Sequence, residues 1–221
     1  MVLSATGRLE FDEIVRLAEK YMGDWPGVDA PRVQPDPIYK PQRVTMSDPK
    51  LNRQYTMAMT PGPSAQDERR FAARVLSDVV GDSDGSRFYW ALVDNAIAED
   101  ADFGFYPHDG CGSFYISLTT DPARTEQALD IAIKELEKVK NDLTDDEVQR
   151  AKNKIASSIV LGGEVPIGRM RSIGGTWVYN KEYRSLEQDM ETLLKVTPDS
   201  LRQLMRDFTF DPMTVVSLGP K

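Results

Sequence analysis

The sequence predicts an α+β domain: a mostly antiparallel β-sheet with helices packed on one face. Two observations predict it. Alternating apolar and polar runs stand near the start, in the middle and at the end of the chain. Segments with apolar residues three and four apart fill the space between them. From residue 42 onward the order reads β-β-α-α-β-β-α-α-α-α-α-β.

The elements follow in chain order. "RVTMSD" and "RQYTMAMTPG" read as strands, with Tyr55, Met57 and Met59 alternating with Thr56 and Ala58. Ser64 can cap a helix through about Val80, turning Phe71, Val75, Leu76 and Val79 inward. The polar turn "GDSDG" then enters a helix at Ser86 that is apolar on most of its circumference, from Phe88 to Val93. Such a helix is expected to be buried, in this chain or against a partner. "ADFGFYP" and "CGSFYISLTT" form a strand pair around the turn "HDG". Asp121 followed by Pro122 starts the next helix, with Leu129, Ala132, Ile133, Leu136 and Val139 on one side. Thr144 and Glu147 make a capping box ahead of Val148, Ala151, Ile155 and Ile159. Helical patterns continue through "IGRMRSIGGTWVYN" and "SLEQDMETLLKV", weakened in the middle by Gly174-Gly175. Thr197-Pro198 opens a last helix, and "MTVVSLGPK" ends the chain as a strand.

Ahead of this unit stand a short apolar run, "MVLSATG", read as a strand, and a helix with Phe11, Ile14, Val15, Ala18, Tyr21 and Met22 on one face. One strand and one helix cannot bury a core. Five prolines, Pro26, Pro31, Pro35, Pro37 and Pro41, then favour a stiff, extended linker. The expected division is residues 1–24 as the end of a preceding unit, 25–41 as linker, and 42–221 as a domain. The short apolar runs ended by glycine at both termini suggest two related halves, of which the chain holds the end of one and all of the other.

Composition excludes several functions. A net charge of −8 repels nucleic acid and anionic membranes, and no basic stripe interrupts it. No apolar run is long enough to span a bilayer, and the N-terminus lacks the pattern of a signal peptide. Cys111 is the only cysteine, so no internal disulfide forms. His108 is the only histidine and reads as a solvated turn residue. "IVLGGEVPIGR" lacks the Lys-Ser/Thr of a phosphate loop. Trp90 and Trp177 read as core, Arg87 as a structural arginine, and Glu99, Asp100 and Asp102 as a solvated acidic run.

Taken in order, "GRLEFDEIVRLAEKYMGDWP", "GDSDGSRFYWALVDNAIAE", "LTDDEVQRAKNKI", "LLKVTPDSLRQLM" and "MTVVSLGP" resemble the pitrilysin/insulinase family of zinc peptidases over nearly the whole chain. The second stretch resembles the family's S-R-L-x-x-x-L-R-E-K-x-G-L-A-Y. The resemblance implies one half of a two-domain clamshell around a peptide. It implies zinc in the other, N-terminal half, on H-x-x-E-H, a motif that one histidine cannot supply. No cofactor is expected in this chain.

The family's second half contributes an Arg and a Tyr that hold the substrate. Those positions fall on Val93 and Glu99 here, while Asp94 fits the family's Glu. Glu99, Tyr106, Arg169 and Arg171 are candidates to replace them; Arg169 and Arg171 could clamp a peptide carboxylate. Three functions follow as alternatives. The first is the non-zinc half of a peptidase, inactive alone, with a peptide substrate and a catalytic half or partner subunit. The second is a non-catalytic subunit or scaffold. The third is an α+β ligand-binding domain. The uncovered edge at residues 1–24 also invites pairing with a second copy of the chain.

Overall fold

The computed structural model describes residues 1–28 and 38–220. Pro31, Pro35 and Pro37 of the expected linker lie outside the described residues. A five-stranded sheet has the order β1-β5-β2-β4-β3. Its strands are β1 (Arg43–Ser47), β2 (Gln54–Gly62), β3 (Asp100–Pro107), β4 (Gly112–Thr120) and β5 (Thr214–Gly219). Only the β1–β5 pair is parallel among these; the other neighbours are antiparallel. The chain is thus a mostly antiparallel α+β fold.

Strand alternation sorts the side chains onto two faces. On the inner face Ala58, Phe103, Phe114, Ile116 and Leu118 are buried. Helices α2 (Arg70–Gly81), α3 (Thr125–Asp142), α4 (Asp145–Glu164), α6 (Leu186–Leu194) and α7 (Pro198–Asp207) bring Leu76, Leu136, Ile155, Leu193 and Leu204 into the same core. Phe103 stacks on Phe114 at 5.6 Å, and Phe210 meets both rings edge-on at 5.5 and 5.2 Å. These are favoured aromatic geometries. Two polar side chains on this face satisfy each other: Thr56 and Ser217 are buried with their hydroxyls 3.0 Å apart.

Gly81 lets α2 approach the sheet. A Cβ there would lie 2.0 Å from the Phe103 backbone nitrogen. No side chain is tolerated at that distance, so glycine sets the helix-to-strand spacing.

The other face of the sheet is open. The pairing register places Met46, Leu218, Tyr55, Thr119 and Asp100 in one row across it. Val44, Val216, Met57, Ser117 and Asp102 form the next. The face therefore grades from apolar at β1, β5 and β2 to polar at β4 and β3. Met46, Tyr55 and Met57 are 47%, 47% and 44% exposed.

Several sequence expectations are corrected. Residues 1–6 form no strand; they run along α5 (Pro166–Asn180), where the Ser4 hydroxyl donates to the Met170 carbonyl at 2.9 Å and Thr6 to that of Pro166 at 2.6 Å. Ser64 does not cap α2, which begins at Arg70 after a turn through Asp67. Trp90 and Trp177 are 57% and 45% exposed and lie outside the core. Helix α1 (Phe11–Met22) forms as expected but buries none of its residues, and Phe11 and Tyr21 stand in solvent.

Candidate functional site

The stretch after the "GDSDG" turn is a π-helical turn, Tyr89–Val93, rather than a regular α-helix. The Ser86 hydroxyl accepts from the Tyr89 N–H at 3.1 Å and starts it. The Asp94 and Ile97 N–H groups then reach back five residues, to Tyr89 and Leu92. Such wide turns occur often at functional sites. Phe88 and Leu92 anchor the inner side, while Trp90 projects outward. Ala96 ends the turn with φ +52°, a left-handed conformation that disfavours a side chain. The Arg124 guanidinium donates to the Ala96 carbonyl.

Arg87, beside this turn, is structural. Its guanidinium is only 14% exposed and pairs with Glu147 and Asp142. The pairing ties the turn to the start of α4.

The sheet separates the sequence-predicted candidates. Asp94 follows the π turn and is exposed. Val93 packs partly on the core and offers no polar group. Glu99 pairs with Arg53, next to the start of β2. Tyr106 lies seven residues further along β3, about 23 Å away at strand rise. It lies on the open face, pairing in register with Ser113, which pairs in turn with Pro61, and its ring stands 4.6 Å from that of His108. Arg169 lies on the helix side, and Arg171 is exposed. Two residues apart on α5, they point about 200° from each other and form no clamp.

Arg169 lines a cavity of about 590 Å³ between α2, α4, α5, α6 and the end of β3. Arg70, Arg74 and Arg184 also line it, with Asp189 as the lining carboxylate. Arg70 and Arg74 share one face of α2, being four residues apart. Burial pushes the Arg70 pKa down, and the nearby Arg184 adds to the effect. These arginines were not singled out from the sequence. Their signal was two cations at helical spacing on the side of α2 opposite its apolar face.

Among the described residues no group of three or more His, Cys, Asp or Glu side chains could hold a metal ion.

An α+β domain with an open sheet face and, among the described residues, no metal-binding set is the class that the geometry defines. Residues 1–155 match the family model described as the Peptidase M16 inactive domain, and the chain belongs to that family. It is similar to an uncharacterized zinc protease of Streptomyces coelicolor, 25% identical across 100% of this chain and 50% of that protein. It is equally similar, at 25%, to mitochondrial-processing peptidase subunit alpha of Solanum tuberosum, over 99% of this chain and 46% of that one. A crystal structure of a peptidase M16 inactive domain from Pseudomonas fluorescens shares the fold with a TM-score of 0.86 at 22% identity, over 97% of this chain and 52% of that one. A chain of complex III2 from Candida albicans matches with a TM-score of 0.86 at 15% identity, over 96% of this chain and 53% of that one. The chain thus spans about half the length of the relatives it matches.

Proposed function

We propose that this chain is the half of an M16 peptidase that does not carry the metal. It faces a zinc-bearing half across a peptide-binding cleft and hydrolyses nothing by itself. The zinc half is supplied either ahead of it in a longer chain or by a partner subunit. The open sheet face carries this reading: Met46, Tyr55 and Met57 are left in water there. An apolar patch of this kind on a folded domain marks a contact surface. Its apolar end suits contact with the other half, and its polar end, with Asp102 and Tyr106, suits an extended peptide. The uncovered apolar face of α1 fits the same division, with residues 1–24 belonging to the preceding half, 25–41 linking, and 42–221 forming this one.

A second reading, a non-catalytic subunit, is favoured by Val93 and Glu99. They replace the polar pair expected to hold substrate, and Glu99 is engaged by Arg53. Relatives named as subunits of the mitochondrial-processing peptidase support it.

The test mixes the 221-residue chain with the H-x-x-E-H half of a family peptidase and follows zinc content, complex formation and hydrolysis of a fluorogenic peptide. The expected result is no zinc and no hydrolysis for the chain alone, and hydrolysis in the mixture that Met57→Glu abolishes. A complex without hydrolysis selects the subunit reading. Stoichiometric zinc or hydrolysis by the isolated chain overturns both. Sedimentation of the isolated chain tests whether α1 pairs two copies; a monomer with exchange-protected residues 1–24 rejects that pairing.

A further inference from the structure

The arginine-lined cavity is opposite in charge to the protein around it. The chain carries −8 overall, yet four guanidiniums and one carboxylate line this space. Asp189 is already engaged: Arg184 donates to it from Nε at 2.8 Å and to the Thr192 hydroxyl at 2.9 Å. The other three arginines have no ion pair among the described residues. Arg70 donates to the Asp67 carbonyl at 3.1 Å and lies over the Phe71 ring. Arg74 senses Asp78 and Asp189 without a salt bridge to either. Arg169 donates from Nη2 to the Tyr183 hydroxyl at 2.8 Å, but its Nη1 is buried with no acceptor among the described residues.

A second buried group in the lining is also unmatched. Asn180 Oδ1 is an acceptor with no donor among the described residues. Leaving such groups unpaired is unfavourable, and more so for a charged one. A ligand that satisfies both must present an anionic acceptor and an N–H or O–H donor. Phe105, Ile155, Ile159 and Leu193 form apolar walls, which suit an aliphatic side chain better than a bare oxyanion. Guanidinium forks match carboxylate oxygens in geometry.

We propose that this cavity binds the free C-terminal carboxylate of a peptide ending in an apolar residue. The carboxylate meets Arg169 and the two arginines of α2. The last backbone N–H of the peptide donates to Asn180 Oδ1, and the terminal side chain packs on the apolar walls. The site lies on the helix side of the sheet, away from the open face. It does not depend on the pairing of halves proposed above, and the isolated chain tests it.

Calorimetric titration of the unmodified chain with N-acetyl-Ala-Ala-Leu as the free acid, its C-terminal amide and inorganic phosphate reads the proposal directly. The expected result is saturable binding of the acid, at least tenfold weaker binding of the amide, and no competition by phosphate at equal concentration. Arg169→Gln and Asn180→Ala, each checked for an unchanged far-UV spectrum and cooperative melting, are expected to weaken acid binding at least tenfold and about threefold respectively. If a variant fails to fold, the acid-to-amide ratio on the unmodified chain still decides. Equal binding of acid and amide, no saturable binding of the acid, or displacement of it by phosphate would overturn the proposal.

Discussion

Arg87 Nε donates to Glu147 Oε1 at 2.7 Å, and Nη2 donates to Oε2 of the same carboxylate at 3.0 Å. Glu147 also closes the capping box of α4, accepting from the Thr144 N–H at 2.9 Å. One carboxylate therefore starts a helix and fastens the π turn to it, across 60 residues of sequence. Burial opposes its charge, but Arg87 and the Thr144 donors outweigh that and hold its pKa below the ordinary 4.5.

Arg87→Met should lower unfolding free energy by about 2–3 kcal/mol at pH 7, because it strands a largely buried carboxylate. The pH dependence follows from the lowered value. Below it the folded state gains the proton as the unfolded chain already has, so the stabilisation is present above about pH 4.5 and disappears as pH falls through the folded pKa. Urea unfolding of both proteins at pH 7 and pH 3 checks this. An undiminished gap at pH 3 contradicts it.

Asp78 behaves in the opposite sense. Burial, with the negative Asp82 nearby, raises its pKa from 3.8 to about 6. The folded state then binds the proton more tightly, so stability falls as pH rises from about 4 through 6. Asp78→Asn should add on the order of 1 kcal/mol at pH 7 and almost nothing at pH 3.5. Thermal melting across that range provides the comparison, and a destabilised variant at pH 7 rejects the assignment.

Ala96 holds a left-handed backbone with a side chain attached, at φ +52°. Ala96→Gly should stabilise the chain by about 0.5–1 kcal/mol, since relief of the strained conformation exceeds the added freedom of the unfolded chain. A lower denaturation midpoint would show that the turn gains from the methyl group.

Gly81→Ala should cost about 1–3 kcal/mol or more. Its Cβ would press on the Phe103 backbone, where no rotamer change gives relief. Chemical denaturation measures the loss, and hydrogen exchange should localise loosening to α2 and β3.

Much of the fold was legible locally. The alternation of Tyr55, Met57 and Met59 marks β2, and Thr144 with Glu147 marks the start of α4. Both signals lie within a few residues and do not depend on the rest of the chain. "MVLSATG" misled because an apolar run becomes a strand only beside another strand, and α5 is its neighbour here. Trp90 misled because burial needs a covering surface, and the chain leaves the outer side of the π turn uncovered.

By itself the sequence determined the order of elements from residue 42 onward, most of their inward faces, the acidic charge and the impossibility of a two-histidine metal motif. These follow from composition and from periods that repeat every two or about 3.6 residues. Only the tertiary structure decided which side of the sheet each candidate occupies. It put Tyr106 on the open face and gathered Arg169 with Arg70, Arg74 and Arg184 behind it. Periodicity says which way a side chain points from its own element. Which elements it then faces depends on how all the apolar surfaces are buried at once.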